Sequence, residues 1–170
     1  MSKLTVYSHY TDKETLFFAA IRASCAEQMP SMLFSVDATA PVRQQLEAIA
    51  RAFFGLGTAG ESFALHRLLI SGGDMPEKLV QMYWEAGPQR VQSGFQEFLR
   101  QEVAGGQLVI SDIPRASSQF FALLKGELHA RMLCGCSQPF SERDIDMHIR
   151  ATVEFFLRAY AVSPDRLVAL

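Results

Sequence analysis

Cysteine and histidine side chains near the carboxyl end of the chain could be drawn as a zinc site. Cys134 and Cys136 are separated by one residue, and His129 and His148 lie on either side of them. Zinc sites of this kind usually contain a paired C-x2-C or H-x3-H spacing, which this set lacks. Buried thiols are also common without any metal. We therefore predict no metal at these residues and no cofactor.

The glycines between Gly55 and Gly60 follow the pattern G-x-G-x-x-G of dinucleotide sites. That chemistry needs a strand before the glycines and a helix after them. The apolar residues before Gly55 repeat with a helical period, so the pattern favours a helix end and a turn. The sequence also contains no G-x-S-x-G and no H-E-x-x-H, and no motif fixes two carboxylates as acid and base. We predict no catalytic residues and no enzymatic activity.

Aromatic side chains are dense in the middle of the chain, with a few polar groups beside them. Ligand pockets have this composition, mostly apolar with sparse polar groups. An aromatic stripe at helical spacing is more often core, and long basic side chains such as Lys125 often extend to water. The predicted ligand-binding residues are His66, Arg67, Trp84, Phe95, Gln119 and Phe120.

The expected position of this pocket is a cavity between short, interrupted helices. We expect Trp84 near its wall and His66 or Arg67 as its polar anchor. The helices around it are predicted to start at these residues: Pro41, Glu61, Met75, Pro88 and Ile113.

Helices are predicted throughout the chain, so the fold class is all-α. Asp112 and Ser141 are predicted to cap two long helices, from Ile113 to Leu133 and up to about Ala161. Breaks are predicted at Gly87-Pro88, from the proline, and at Gly105-Gly106, from the glycines. A further capping box, with proline in the first turn, is expected from Asp74 to Glu77.

The last helix is predicted to be apolar on two sides. His148, on the same helix, is expected in an exposed, charged stretch. A terminal helix of this kind needs a partner beyond its own core. We predict a homodimer held by a four-helix interface from the last two helices of each chain, burying about 1,600 Å² or more. One stripe contains Ile145, Ile149, Thr152, Phe156 and Tyr160, and Met147, Ala151, Phe155 and Leu157 widen it.

Composition limits the cellular setting and the partners. Of 170 residues, 49% are hydrophobic and 20% charged, which is typical of a compact folded protein. The net charge of −2 supplies no general attraction to nucleic acid, so DNA binding must be local. Three cysteines without framework spacing favour a reducing, cytoplasmic setting. The sequence shows no secretory signal and no apolar run of about 18 residues that could span a membrane.

The first eighteen residues resemble the end of the helix-turn-helix of TetR/AcrR-type transcriptional regulators. That family has a recognition helix of the form S-K-x-T-[VL]-Y-x-[HY]-[FY], followed by a connecting helix that opens with [SD]-K-E-x-L-F. Less specifically, the segments 65–73 and 83–88 resemble one class of TetR C-terminal domain. The matching N-terminal positions are Ser2, Lys3, Thr5, Val6, Tyr7, His9, Tyr10, Asp12, Lys13, Glu14, Leu16 and Phe17.

The resemblance implies a ligand-responsive transcriptional regulator, expected to be a repressor. Residues 1–17 would be a remnant of the DNA-binding domain, starting at the recognition helix and lacking the first two helices. Residues 18–170 would form the helical ligand-binding and dimerisation domain. The implied partners are operator DNA for the full-length form, a small-molecule effector and a second copy of the chain. The implied DNA-binding residues are Lys3, Thr5, Tyr7, His9 and Lys13.

A recognition helix of about eight residues is unstable alone. Its few positive charges hold phosphate weakly at physiological salt. We therefore expect the 170-residue polypeptide to bind operator DNA weakly or not at all. The alternative is a small-molecule-binding helical dimerisation module that no longer binds DNA. The sequence does not specify the effector, the operator or the regulated genes.

Overall fold

The structure, a computed structural model, describes residues 33–34, 36–58, 66, 76–135 and 140–162, without the side chains of 57 and 58. Within these ranges the only β-pairing is an isolated bridge between Leu108 and Ala161. The expected N-terminal recognition helix and the helix expected from Glu61 lie outside the described residues, except that His66 is helical. The helices are α1 Val42–Thr58, α2 Glu77–Ala86, α3 Pro88–Ala104, α4 Ile113–Leu133 and α5 Glu142–Tyr160.

Side-chain caps begin α4 and α5, the two longest of the described helices, as predicted. The carboxylate of Asp112 accepts a hydrogen bond from the backbone N–H of Arg115 at 3.0 Å, at the start of α4. At the start of α5, the backbone N–H of Asp144 donates to the Ser141 hydroxyl at 3.2 Å. The Ser141 N–H in turn donates to the Asp144 carboxylate at 3.1 Å, which completes a capping box. These bonds satisfy N–H groups that a helix leaves without partners.

Glycine and proline separate the helices where the sequence indicates, with one correction. Gly87 lies between α2 and α3, and Gly106 has a positive φ of 71° after the end of α3. At the start of α2, however, Pro76 is the N-cap residue and makes no side-chain hydrogen bond. The expected capping box is therefore wrong, because the N-cap lies two positions after Asp74 and the proline precedes the first turn. Asp74, the expected capping residue, is outside the described part.

The core is a bundle in which α3 packs on α2 and α4, and α1 packs on α4 and α5. Helices α4 and α5 also pack on each other. Phe95 of α3 is 0% exposed and lies at the centre of an aromatic cluster. Its ring centroid is 4.6 Å from that of Phe120 and 5.1 Å from that of Phe121. Aromatic pairs in this range contribute beyond their buried area, so this cluster holds α3 against α4.

A short backbone pairing closes the end of the bundle. The N–H of Val109 donates to the carbonyl of Tyr160 at 2.8 Å, and the N–H of Val162 donates to the carbonyl of Gln107 at 3.4 Å. Leu108, between them, is 1% exposed and belongs to the core. The link before α4 is therefore fixed to the last turn of α5.

Candidate functional site

A polar cluster joins three parts of the chain beside α4. The hydroxyl of Tyr83, on α2, lies 3.4 Å from Nδ1 of His66. The His66 ring meets the ring of His129 edge to face, with centroids 5.3 Å apart. Lys125 precedes His129 on α4, and its charge acts on both imidazoles. We call His66, Tyr83, Lys125 and His129 the basic cluster.

Partial burial and mutual repulsion act on the charges of the basic cluster. Desolvation lowers the pKa of His66, and the charge of Lys125 lowers it further. Desolvation also lowers the pKa of His129, with smaller effects from His66 and Lys125. Lys125 is exposed over part of its surface, but desolvation of its ammonium group still lowers its pKa. The cluster thus offers an ammonium, two imidazoles and a phenol, all able to form hydrogen bonds.

Helix α4 bends inside the basic cluster, between Lys125 and His129. Gly126 has φ 47° and ψ −153°, which is not a helical conformation. His148 of α5 lies at this bend, with Nε2 2.7 Å from the carbonyl oxygen of Leu124. Because a carbonyl only accepts, Nε2–H is the donor. The expectation that His148 lies in an exposed stretch is wrong. The side chain is half-buried because it fills the space beside the bend.

A groove of about 450 Å³ runs along the outer face of α4 and α5. At one end the hydroxyl of Tyr160 donates to the side-chain carbonyl of Gln119 at 2.8 Å. Large apolar side chains are exposed on this face: Leu123 is 38% exposed, Met147 53% and Phe155 61%. Ile149 and Phe156 of the same helix are buried in the core. The predicted apolar character of α5 on two sides is therefore confirmed. We call Gln119, Leu123, Met147 and Phe155 the outer face.

The structure places the predicted ligand-binding residues in different surroundings. His66 is in the basic cluster, whereas Gln119 is on the outer face. Phe95 and Phe120 are fully buried in the core. Trp84 is 52% exposed, and Arg67 lies outside the described residues.

Sequence reasoning assigned little to the residues that complete the cluster. The sequence pattern presents His129 only as a potential metal ligand, and no local signal predicts the contact of its ring with that of His66. Among the described residues no group of histidine, cysteine and carboxylate side chains could hold a metal ion. The described part of the chain also contains no helix long and apolar enough to cross a membrane.

The sequence from residue 44 to residue 162 matches the C-terminal domain of AefR-like transcriptional repressors. This chain belongs to the TetR family of transcriptional regulators. The match begins inside α1 and includes α2 to α5, and therefore the basic cluster and the outer face. As a TetR-family member the chain is a transcriptional regulator, not an enzyme.

Solved structures of TetR-family regulators share the fold. The flavonoid-responsive regulator FrrA is 27% identical with a TM-score of 0.78, and the match covers 95% of this chain and 81% of FrrA. A TetR-family regulator from Mesorhizobium loti is 26% identical with a TM-score of 0.81 and the same coverages. A third, from Agrobacterium tumefaciens, is 22% identical with a TM-score of 0.73, covering 95% of this chain and 79% of that one. No curated protein sequence matches significantly. The predicted all-α, TetR-like helical bundle is confirmed.

Proposed function

We propose that this TetR-family chain provides the ligand-binding and dimerisation part of a ligand-responsive repressor, which acts as a homodimer on operator DNA in the cytoplasm. The observation that carries the proposal is the match to AefR-like repressor C-terminal domains over residues 44–162. The proposed DNA contacts are the five N-terminal residues of the family's recognition motif, outside the described residues: Lys3, Thr5, Tyr7, His9 and Lys13.

The outer face supports the proposed homodimer. Phe155, Met147 and Leu123 place large apolar surfaces in water on helices whose other faces are already buried. Covering such a patch with its symmetric copy removes apolar area from water without needing a second kind of surface. Helices α4 and α5 of the two chains would form the four-helix interface expected from the sequence.

The basic cluster supports the proposed effector site. It brings two half-buried imidazoles into contact with each other and with the phenol ring of Tyr83, and small-molecule sites combine apolar surface with a few such polar groups. Because the structurally similar FrrA is named as flavonoid-responsive, a flavonoid is the first effector class to test on this chain.

A hybrid repressor tests the proposed function. Residues 1–17 are replaced by the complete DNA-binding domain of another TetR regulator whose operator is known. We expect the hybrid to bind that operator as a dimer in a gel shift and to release it when a flavonoid effector is added. A hybrid that folds but neither binds the operator nor responds to any flavonoid would contradict the proposal. The expectation that the 170-residue polypeptide alone binds operator DNA weakly stays a prediction, which a gel shift with selected DNA tests.

The substitution Phe155→Glu tests the interface separately. Because the Phe155 side chain is 61% exposed, we expect the single chain to keep its fold. A charge that lacks a partner in the dimer interface weakens association. Sedimentation equilibrium at micromolar concentration should show a shift from dimer towards the mass of one chain, 18.9 kDa. Glu142→Gln, at an exposed position of the same helix, is the control and should leave the dimer unchanged.

A further inference from the structure

Large and small side chains alternate along the outward side of α5. Met147, Ala151, Phe155 and Ala159 follow one another every four residues, so they form a line along the surface of the helix. Met147 is 53% exposed and Phe155 is 61% exposed, and both alanines are exposed as well. We call these four residues the exposed row. The row presents two large apolar projections, each followed by a gap.

Opposite charges at the two ends of α5 favour an antiparallel pairing of two copies. The first turn contains the exposed carboxylates of Glu142 and Asp144, which outnumber the one arginine there. Near the other end, Glu154 is paired with two arginines, with Arg43 at 2.7 Å and with Arg158 at 3.0 Å, which leaves net positive charge. Antiparallel pairing places the acidic end of each copy against the basic end of the other, whereas parallel pairing places like charges together.

We propose that α5 pairs with α5 of a second copy in one antiparallel register, with the two-fold axis level with Val153. In this register the partner's Met147 lies on Ala159, and the partner's Phe155 lies on Ala151. The inference deepens the proposed function and rests on it, since it specifies how the two copies of the homodimer fit together.

The alternation of side-chain size selects this register. An axis level with Ala151 would place Met147 against the partner's Phe155, and a parallel pairing would place each large side chain against its own copy. With the axis level with Val153, both large side chains meet a small one of the row. Stable interfaces are packed as densely as protein interiors, which requires this kind of fit.

The groove on the outer face lies where the register brings the partner's Met147. The groove has a volume of about 450 Å³, and Ala159 of α5 and Ala122 and Leu123 of α4 line it. A methionine side chain is flexible and fills irregular gaps of this kind. Ala159 is six residues from Val153, or about 9 Å along the helix. Helices of a four-helix bundle cross at about 20° and so remain in contact over that distance.

Exchanging the large and small side chains tests the register. Met147→Ala removes the side chain that enters the groove, and Ala159→Met obstructs its place. We expect each single substitution to weaken association about 10- to 100-fold, because each change occurs twice in the dimer. The combined variant should associate within about threefold of the unchanged chain, since the large and small side chains trade places across the axis.

The matched control combines Met147→Ala with Ala151→Met. It has the same composition as the unchanged chain but places the new methionine against the partner's Phe155, so its association should stay weak. Sedimentation equilibrium over a series of concentrations measures each dissociation constant. All three positions are exposed, and thermal denaturation followed by circular dichroism checks that every variant is folded.

Chemical cross-linking gives a second measurement that does not depend on affinity. The three natural cysteines are replaced by serine. Copies with Met147→Cys are then mixed with copies with Ala159→Cys and treated with a short bis-maleimide. We expect cross-linked dimer from the mixture and much less from Met147→Cys alone, because the register separates the two copies of position 147 by about 18 Å.

Three results would overturn the inference: a combined variant that associates no better than the single variants, a control that recovers equally, or a mixture that cross-links no more than Met147→Cys alone. Failure of the proposed function gives a different pattern. If Phe155→Glu dissociates the dimer but the exchange fails, the outer face stands as the interface and the register is removed. If the exchange succeeds but the hybrid repressor never binds its operator, the function is removed and the register stands. An unchanged chain that is a monomer at every concentration removes both.

Discussion

The substitution Gly126→Ala tests the bend in α4 most directly. Gly126 combines φ 47° with ψ −153°, a conformation that residues with a side chain rarely adopt. Holding such a residue in a sparsely populated region costs about 1–3 kcal/mol. An added Cβ would also lie 2.9 Å from Cε1 of His148, closer than side chains pack. If His148 moves away, its hydrogen bond to the Leu124 carbonyl is lost, at about 0.5–1.5 kcal/mol.

Together these effects predict a loss of about 2–4 kcal/mol in the free energy of unfolding. Urea denaturation followed by circular dichroism, at one fixed protein concentration, measures it. Gly55→Ala in α1 is the matched control, because nothing lies within 4 Å of the Cβ it adds. In a helix interior that change should stabilise by about 0.5–1 kcal/mol. If Gly126→Ala unfolds at the urea concentration of the unchanged protein, or higher, the bend is not a required conformation and the reasoning is refuted.

Three further predictions concern a cap, pH and the aromatic core. Ser141→Ala should lower the free energy of unfolding by about 1 kcal/mol through loss of the capping box. The control Ser118→Ala, at an exposed position of α4, should change it by less than about 0.5 kcal/mol. Equal urea midpoints for the two variants would contradict the role of the cap. Because the pKa values of His66 and His129 lie below the usual 6.5, the unfolded chain takes up protons first, so stability should fall as the pH drops from about 7 through 6.5. Replacing both histidines by glutamine should flatten the dependence of the free energy of unfolding on pH. An unchanged dependence would contradict the role of these two histidines. Phe95→Ala should lower the free energy of unfolding by about 3–5 kcal/mol, because the side chain is fully buried. A loss below about 1 kcal/mol in thermal or urea denaturation would show that Phe95 is not central to the core.

The fold could be predicted largely from local signals. Asp112 and Ser141 precede apolar-periodic segments and cap helices as expected, because a short polar side chain at that position satisfies free N–H groups. Gly87 and Gly106 separate helices for an equally local reason, since a proline follows the first and a second glycine precedes the other. Such signals depend on a few neighbouring residues and can be read from one sequence.

The candidate site could not be predicted in the same way, because it depends on packing between distant residues. A glycine inside a helical pattern is usually tolerated without a bend, so nothing near Gly126 indicates its conformation. The space beside the bend is filled by His148 of another helix, which donates its hydrogen bond to the Leu124 carbonyl. Likewise, His66 and His129 are far apart in the sequence, and only the folded bundle brings their rings together.

The backbone pairing between the link before α4 and the end of α5 has a consequence for how the bundle opens. Val109 and Val162 each donate a backbone hydrogen bond across this closure, and the buried Leu108 lies between them. Both hydrogen bonds break when the end of α5 separates from the link. Their hydrogen exchange should therefore be slow and should occur together with that of the α5 core amides, as one cooperative unit. The closure makes α4 and α5 a hairpin tied at its open end, so fraying, which usually begins at a helix terminus, is suppressed at the last turn of α5.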